Sequence, residues 1–257
     1  MDISVVTIAL NDCSRISRTL EGIRRQSRRP EEYCIIDGGS VDGTMGLIEK
    51  SLDIVSTVTS EKDNGIYDAM NKGIRSTSGI CIGIVNAGDF YFNGTLEAVA
   101  GIMNDTDADI VHGDQMVFYS YRNFTHFRIQ RPDPDIAQLE SKPTIFHPTC
   151  FVRRSLYERI GLFDTRYRID ADYEFLLRAK RAGATFQYIP KLLTGFEAGG
   201  VSGGCRRFSE GYRILKEYRI PRYTSNTMKL IKCLGMSFVS RFIDIEGKLE
   251  KKRLLES

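Results

Sequence analysis

The sequence predicts an α/β fold: a central, mostly parallel sheet flanked by helices, followed by a C-terminal helical extension. Three observations predict it. Short β-branched runs alternate with helical apolar patterns, two of those runs end in acidic turns, and near residue 223 the pattern changes to a basic amphipathic stripe. The expected division is 1–222 for the α/β domain and 223–257 for the helical tail.

The 257 residues, 42% hydrophobic and 27% charged, are ordinary for a globular chain and enough to bury a large core. The first eight residues lack a basic leader and a small-residue cleavage site, and no apolar run reaches the ~20 residues of a membrane span. A cytoplasmic protein is expected. Its six cysteines (13, 34, 81, 150, 205 and 233) have no zinc-ligand spacing, so free thiols are the plain reading. The net charge of +3 is uneven: residues 222–257 carry +4, which leaves −1 for the rest. Nothing points to nucleic acid.

In order, residues 3–8 read as a buried strand, and Ser14 then caps a helix whose face is Ile16, Leu20 and Ile23. Residues 33–36 form a second strand that ends at Asp37 and the turn Gly38-Gly39-Ser40-Val41-Asp42-Gly43-Thr44. A helix to about 52, a strand at 55–60, a helix at 65–75 and a strand at 80–85 follow, the last ending in Asn86-Ala87-Gly88-Asp89. Further on, strands are expected at 109–112, 116–121, 150–152 and 185–189, helices to 160 and at 171–182, and loops at 131–135 and 199–204.

Ligands of open parallel sheets bind at the carboxyl ends of the strands, which makes Asp37 and Asp89 candidates for one site. Each also has a structural reading, as a turn carboxylate capping backbone N–H groups. Neither a G-x-x-x-x-G-K-[ST] loop nor a G-x-G-x-x-G after the first strand is present, which argues against a P-loop NTPase and a nicotinamide dehydrogenase. A carboxylate rim without such loops suggests that a metal ion handles any phosphate.

The chain resembles the inverting family-two glycosyltransferases of GT-A fold, in the branch of colanic-acid-type and O-antigen-type enzymes. The resemblance covers residues 3 to about 204. Its segments are residues 4–11, the Asp37 turn, Ser60-Glu61-Lys62-Asp63-Asn64-Gly65-Ile66-Tyr67-Asp68-Ala69-Met70-Asn71-Lys72-Gly73, Asn86-Ala87-Gly88-Asp89, His147-Pro148, Asp170-Ala171-Asp172-Tyr173-Glu174 and Gly199-Gly200-Val201-Ser202.

The resemblance implies roles residue by residue. Asp37 matches the acid that reads the nucleotide base, with Gly38 allowing close backbone approach. Asp68, Asn71 and Lys72 match positions lining the donor site, on one helix face. Asp89 matches the metal-binding acid for Mg²⁺ or Mn²⁺ on the donor diphosphate, with Gly88 where many relatives carry a second acid. Asp172 matches the catalytic base, with Ala171 replacing the acid before it. His147 is placed on the acceptor side, and Gly200 and Ser202 on a loop near the diphosphate. Where many relatives place a histidine before that loop, this chain reads Phe196-Glu197-Ala198.

The function so implied is transfer of a sugar from a nucleotide-diphosphate donor to an acceptor hydroxyl, in bacterial exopolysaccharide or O-antigen assembly. A lipid-linked oligosaccharide is the expected acceptor. The basic apolar stripe at 226–253 either rests on the inner membrane surface or packs on protein. The alternative from another class is a catalytically inactive nucleotide-sugar-binding or scaffolding protein, motivated by Gly88 and Ala171.

Overall fold

The computed structural model describes residues 1–121, 124–199 and 205–220. Contacts divide the chain into two units, Met1–Gly200 and Val201–Ser257. The described part of the second unit contains one helix, α7 (Cys205–Glu217). The tail stripe at 226–253, Gly200 and Ser202 lie outside the described residues.

The first unit begins with β1 (Ile3–Ala9), α1 (Ile16–Arg24), β2 (Glu32–Asp37), α2 (Thr44–Glu49), β3 (Thr57–Ser60), α3 (Ile66–Arg75) and β4 (Cys81–Asn86). It continues with β5 (Phe90–Tyr91), α4 (Thr95–Asp105), β6 (Ile110–Tyr121), β7 (Phe124–Gln130), β8 (Phe151–Arg153), α5 (Arg154–Ile160), α6 (Ala171–Arg181) and β9 (Phe186–Glu197). The sheet order is β3-β2-β1-β4-β8-β6-β9-β5, with β7 on β6. Strands β1 to β4 are parallel, while β8 runs antiparallel to β4 and β6 antiparallel to β8.

Period-two alternation assigns the two faces of the sheet. Ile3, Val5, Tyr33, Ile35, Cys81 and Val85 join a core with Ile16, Leu20 and Ile23 of α1, Ile48 of α2, and Leu96 and Val99 of α4. Val6, on the opposite face, lies against α3 at Gly73. β1 is buried along its whole length, as a strand covered on both sides must be.

The chain visits β1, β2 and β3 outward in one direction, then crosses to the other side of β1 for β4. That reversal opens a crevice between the carboxyl ends of β1 and β4. Register puts the ends together: Ala9 pairs with Asp37, Asp37 with Ser60, and Ile8 with Asn86.

The two strands expected at 109–112 and 116–121 are one strand, β6, and the strand expected at 185–189 continues to Glu197. The register between them jumps at Gly113/Asp114, opposite Pro190 and Lys191. Proline cannot donate to a ladder, so the irregularity accommodates Pro190 and pairing resumes beyond it. This continuation brings Glu197 to the site.

Candidate active site

Asp37 closes β2 and is fully buried. Its carboxylate accepts from the N–H groups of Gly39 (3.1 Å) and Ser40 (2.9 Å) and from the hydroxyls of Ser40 and Ser60 (2.7 Å for Ser60). Both oxygens are thus engaged by its own turn and by the end of β3. Gly38 donates to Ala9 O, and a side chain there would press on Leu10 and on Asp63 Oδ2, 3.1 Å from the Cβ position. Asp42 is a turn acid, accepting from Thr44 and from Cys13 N, and the Thr44 hydroxyl is the main influence holding it below the usual carboxylate range.

The three residues of α3 separate. Asp68 and Lys72 share a face, 3.9 Å apart. Asn71 does not: it is buried, donates to Phe163 O (2.9 Å) and accepts from Phe163 N (3.0 Å). Consecutive helical positions point about 100° apart, so Asn71 faces inward while Lys72 faces out. The expectation that Asn71 lines the donor site is therefore corrected to a clamp on the Phe163 backbone. Lys72 is held by Asp63 (2.6 Å) and Glu61 (2.7 Å), and those bonds raise its pKa above the ordinary lysine value. Asp63 lies between Lys72 and Gly38.

Asp89 follows β4 at the crevice and is 4% exposed. Thr19 of α1 organises its turn, accepting from Gly88 N (2.9 Å) and donating to Asp89 O (2.6 Å). Asp89 Oδ1 accepts from Glu197 N (2.8 Å), and Oδ2 has no hydrogen-bond partner among the described residues. Burial pushes its carboxyl up to about 7; the Glu197 N–H works against this, the Glu197 charge adds to it, and Arg15 and Arg18 oppose it. Gly88 has φ +96°, and a side chain there would meet Glu197 Oε2 at 3.3 Å and Arg15 Cβ at 3.4 Å. The positive φ makes a second acid at 88 strained, and a Glu197 carboxylate oxygen lies beside that position. Arg18 completes the group, 3.2 Å from Glu197 and 3.3 Å from Gly88 O, with its guanidinium over Phe118.

Whether these residues suit a divalent cation can be judged from their oxygens. Asp89 offers one unengaged oxygen, Glu197 stands next to it, and Asn86 Oδ1, in the same turn, is buried with no partner among the described residues. All are hard donors of the type that Mg²⁺ and Mn²⁺ take. No group of three or more His, Cys, Asp or Glu side chains converges among the described residues, so the donor phosphates would have to supply further ligands.

Asp172 sits in the first turn of α6. Its Oδ1 accepts from Tyr173 N (2.9 Å), and the single Tyr67 hydroxyl proton is shared between Ile169 O (2.6 Å) and this Oδ1 (3.0 Å). Oδ2 has no hydrogen-bond partner among the described residues. His147 opens a short 3-10 turn, meets Phe163 edge-on at 5.5 Å, and is kept below the ordinary histidine pKa by burial, with the Asp172 charge opposing. The fold therefore brings His147 near Asp172. Glu174 is instead paired with Arg178 at 3.0 Å.

Tyr67 and Glu197 were missed as individual residues. Tyr67 stands in the motif beside Asp68, but an apolar-looking tyrosine gave no chemical cue. Glu197 is signalled only by standing in the segment Phe196-Glu197-Ala198, before the loop where many relatives carry a histidine.

Comparisons with known proteins give the family and the fold. The family model described as glycosyl transferase family 2 matches residues 4–161. A PGL/p-HBAD biosynthesis glycosyltransferase of Mycobacterium tuberculosis is 30% identical over 206 residues, 77% of this chain and 78% of the relative. The uncharacterized glycosyltransferase YwdF of Bacillus subtilis is 29% identical, over 70% of this chain and 69% of its own length. Among solved structures, S. aureus TarS 1-349 in complex with UDP-GlcNAc has a TM-score of 0.65 at 17% identity. That match covers 84% of this chain and 65% of the TarS chain. The mannosyltransferase PcManGT from Pyrobaculum calidifontis, in complex with GDP-Man and Mn²⁺, has a TM-score of 0.62 at 18% identity, over 95% of this chain and 79% of its own. The fold is GT-A-like. On the family match over residues 4–161 and the 30% identity to the mycobacterial relative, this chain belongs to glycosyl transferase family 2 and is a glycosyltransferase.

Proposed function

We propose that the protein transfers a sugar from a nucleotide-diphosphate donor to an acceptor hydroxyl with inversion, Asp172 acting as general base. The observation that carries this reading is the contrast among the rim acids. Asp37 is saturated by its turn and by Ser60, whereas Asp172 and Asp89 each keep one oxygen without a partner among the described residues.

In this reading the donor lies in the crevice between β1 and β4, its base beside the Asp37–Gly38 turn and its diphosphate toward Asp89. A divalent cation held by Asp89, with Glu197 and Asn86 in reach, would supply charge stabilisation to the leaving diphosphate. Arg15 and Arg18 add positive charge to the same side. Asp172 Oδ2 takes the acceptor proton as the hydroxyl attacks the anomeric carbon from the face opposite the diphosphate. His147, neutral and close to Asp172, belongs to the acceptor side. Gly200 and Ser202 are assigned to the diphosphate loop by resemblance.

PcManGT was solved with GDP-Man and Mn²⁺ and TarS with UDP-GlcNAc, which supports a nucleotide sugar here and Mn²⁺ as the first metal to try. Assembly of a bacterial surface polysaccharide on a lipid-linked acceptor extends the family resemblance. A catalytic unit at 1–222 with a basic tail at the inner membrane surface completes the proposal. Among the described residues no helix is long and apolar enough to cross a membrane.

The test is calorimetric binding of UDP, GDP and dTDP, with and without Mn²⁺, to the wild type and to Asp89→Asn. Metal-dependent binding of one nucleotide, lost in the variant, supports the donor site. A folded protein that binds none of the three overturns it.

A further inference from the structure

Helix α3 reaches the proposed base through one side chain. Tyr67, its second residue, is 6% exposed, and its ring packs on Phe163 with centroids 5.6 Å apart. Its hydroxyl lies 2.6 Å from Ile169 O, just ahead of α6, and 3.0 Å from Asp172 Oδ1. Two turns of α3 thus grip the segment that delivers Asp172, because Asn71 holds the Phe163 backbone by two further hydrogen bonds. The same helix presents Asp68 and Lys72 on its other side.

We infer that Tyr67 is a positioning residue: its single hydroxyl proton, shared between Ile169 O and Asp172 Oδ1, fixes the carboxylate relative to the start of α6 so that Oδ2 faces the acceptor. The inference rests on the reading of Asp172 as the base. A carboxylate in the first turn of a helix has several rotamers of similar energy, and holding one of its two oxygens selects among them. Oδ1 is held by Tyr173 N as well as by Tyr67, and Oδ2 by no described residue, so the free oxygen is defined by the engaged one. Precise placement of a base matters because misplacement by ~1 Å costs on the order of 100-fold in rate. The hydroxyl rather than the ring performs this task, so phenylalanine is the informative substitution.

The experiment compares Tyr67→Phe with Asp172→Asn and with Tyr33→Phe, which loses a buried hydroxyl contact to Thr7 away from the rim. Turnover is read as nucleoside diphosphate released from the nucleotide sugar whose nucleotide binds in calorimetry, in the presence of a panel of sugar acceptors. Crystal structures of the wild type and Tyr67→Phe give a second readout that needs no substrate. The expected result is a kcat about threefold to tenfold lower in Tyr67→Phe, the scale of one net hydrogen bond. KM and nucleotide Kd stay unchanged, the thermal midpoint stays close to that of Tyr33→Phe, and Asp172 turns to a new rotamer on an unmoved α6. An unmoved Asp172 carboxylate overturns the inference, as does a kcat loss that Tyr33→Phe shares. Full turnover by Asp172→Asn would retire the base reading instead. If Tyr67→Phe does not fold, Tyr67→His is set against Tyr67→Leu: higher kcat in the histidine variant supports the inference, and equal kcat overturns it.

Discussion

Strand β2 begins at Glu32 and ends at Asp37, and each of these carboxylates accepts four hydrogen bonds. At the amino end, Glu32 takes the hydroxyls of Ser4 and Ser78 and the N–H groups of Ser78 and Gly79, joining β1 to the approach to β4. At the carboxyl end, Asp37 takes donors from its own turn and from Ser60. The carboxyl end also holds Asp89, and the same unit holds Asp172, each with an oxygen that no described residue engages. Saturated acids build the frame, and acids left unsatisfied at some cost in folding are the ones available to substrate and cation.

The comparison breaks most readily at Asp172. Asp172→Asn is expected to lower kcat by about 100-fold to 10,000-fold, the usual worth of a general base, with nucleotide affinity and melting temperature nearly unchanged. Steady-state kinetics beside a thermal melt checks it, and unaltered kcat would remove Asp172 from the chemistry.

The next effect is at Asp89. Asp89→Asn should weaken Mn²⁺-dependent nucleotide binding by about 100-fold, since several kcal/mol of charge interaction depend on such a carboxylate. Calorimetry should show little change in binding without metal.

Asp37 sharpens the comparison because it should behave as frame first. Asp37→Ala leaves the Ser40 and Gly39 N–H groups and the Ser60 hydroxyl without their acceptor, at a cost of about 2–4 kcal/mol. That corresponds to a fall of roughly 5–15 °C in melting temperature for a domain of this size, read by calorimetric scanning.

The smallest effect is at Glu32 and is visible mainly in acid. Burial favours its protonated form, but the bonds from Ser4, Ser78 and Gly79 outweigh this and pull its carboxyl down to about 2. A folded pKa below the unfolded value adds stability that is complete above about pH 4.5 and is lost as pH falls toward about 2. Glu32→Gln should therefore melt a few degrees lower at pH 7, and the gap to wild type should close through that window. Activity at neutral pH should be unchanged.

Much of this site is legible in the sequence. β1, β2 and β4 are short runs with buried residues on both faces, and their acidic ends announced the rim. Helix α3 was legible from its apolar spacing, but the placement of Asn71 with Lys72 on one face was not correct, because adjacent helical residues diverge. Strand β7 and helices α4 and α7 were not anticipated. Nor was β9 beyond Pro190, because a proline inside a strand reads as its end unless a partner strand accommodates the irregularity.

The sequence by itself determined the α/β alternation, the family and the short list of acids, because strand and helix periods and turn chemistry are local properties. Only the tertiary structure decided which acids are spent. Hydrogen-bond satisfaction depends on donors far apart in the chain: Ser60 for Asp37, Ser78 for Glu32, Glu197 for Asp89 and Tyr67 for Asp172. Those partners are separated by 23 to 108 positions, and only the packed sheet brings them within bonding distance.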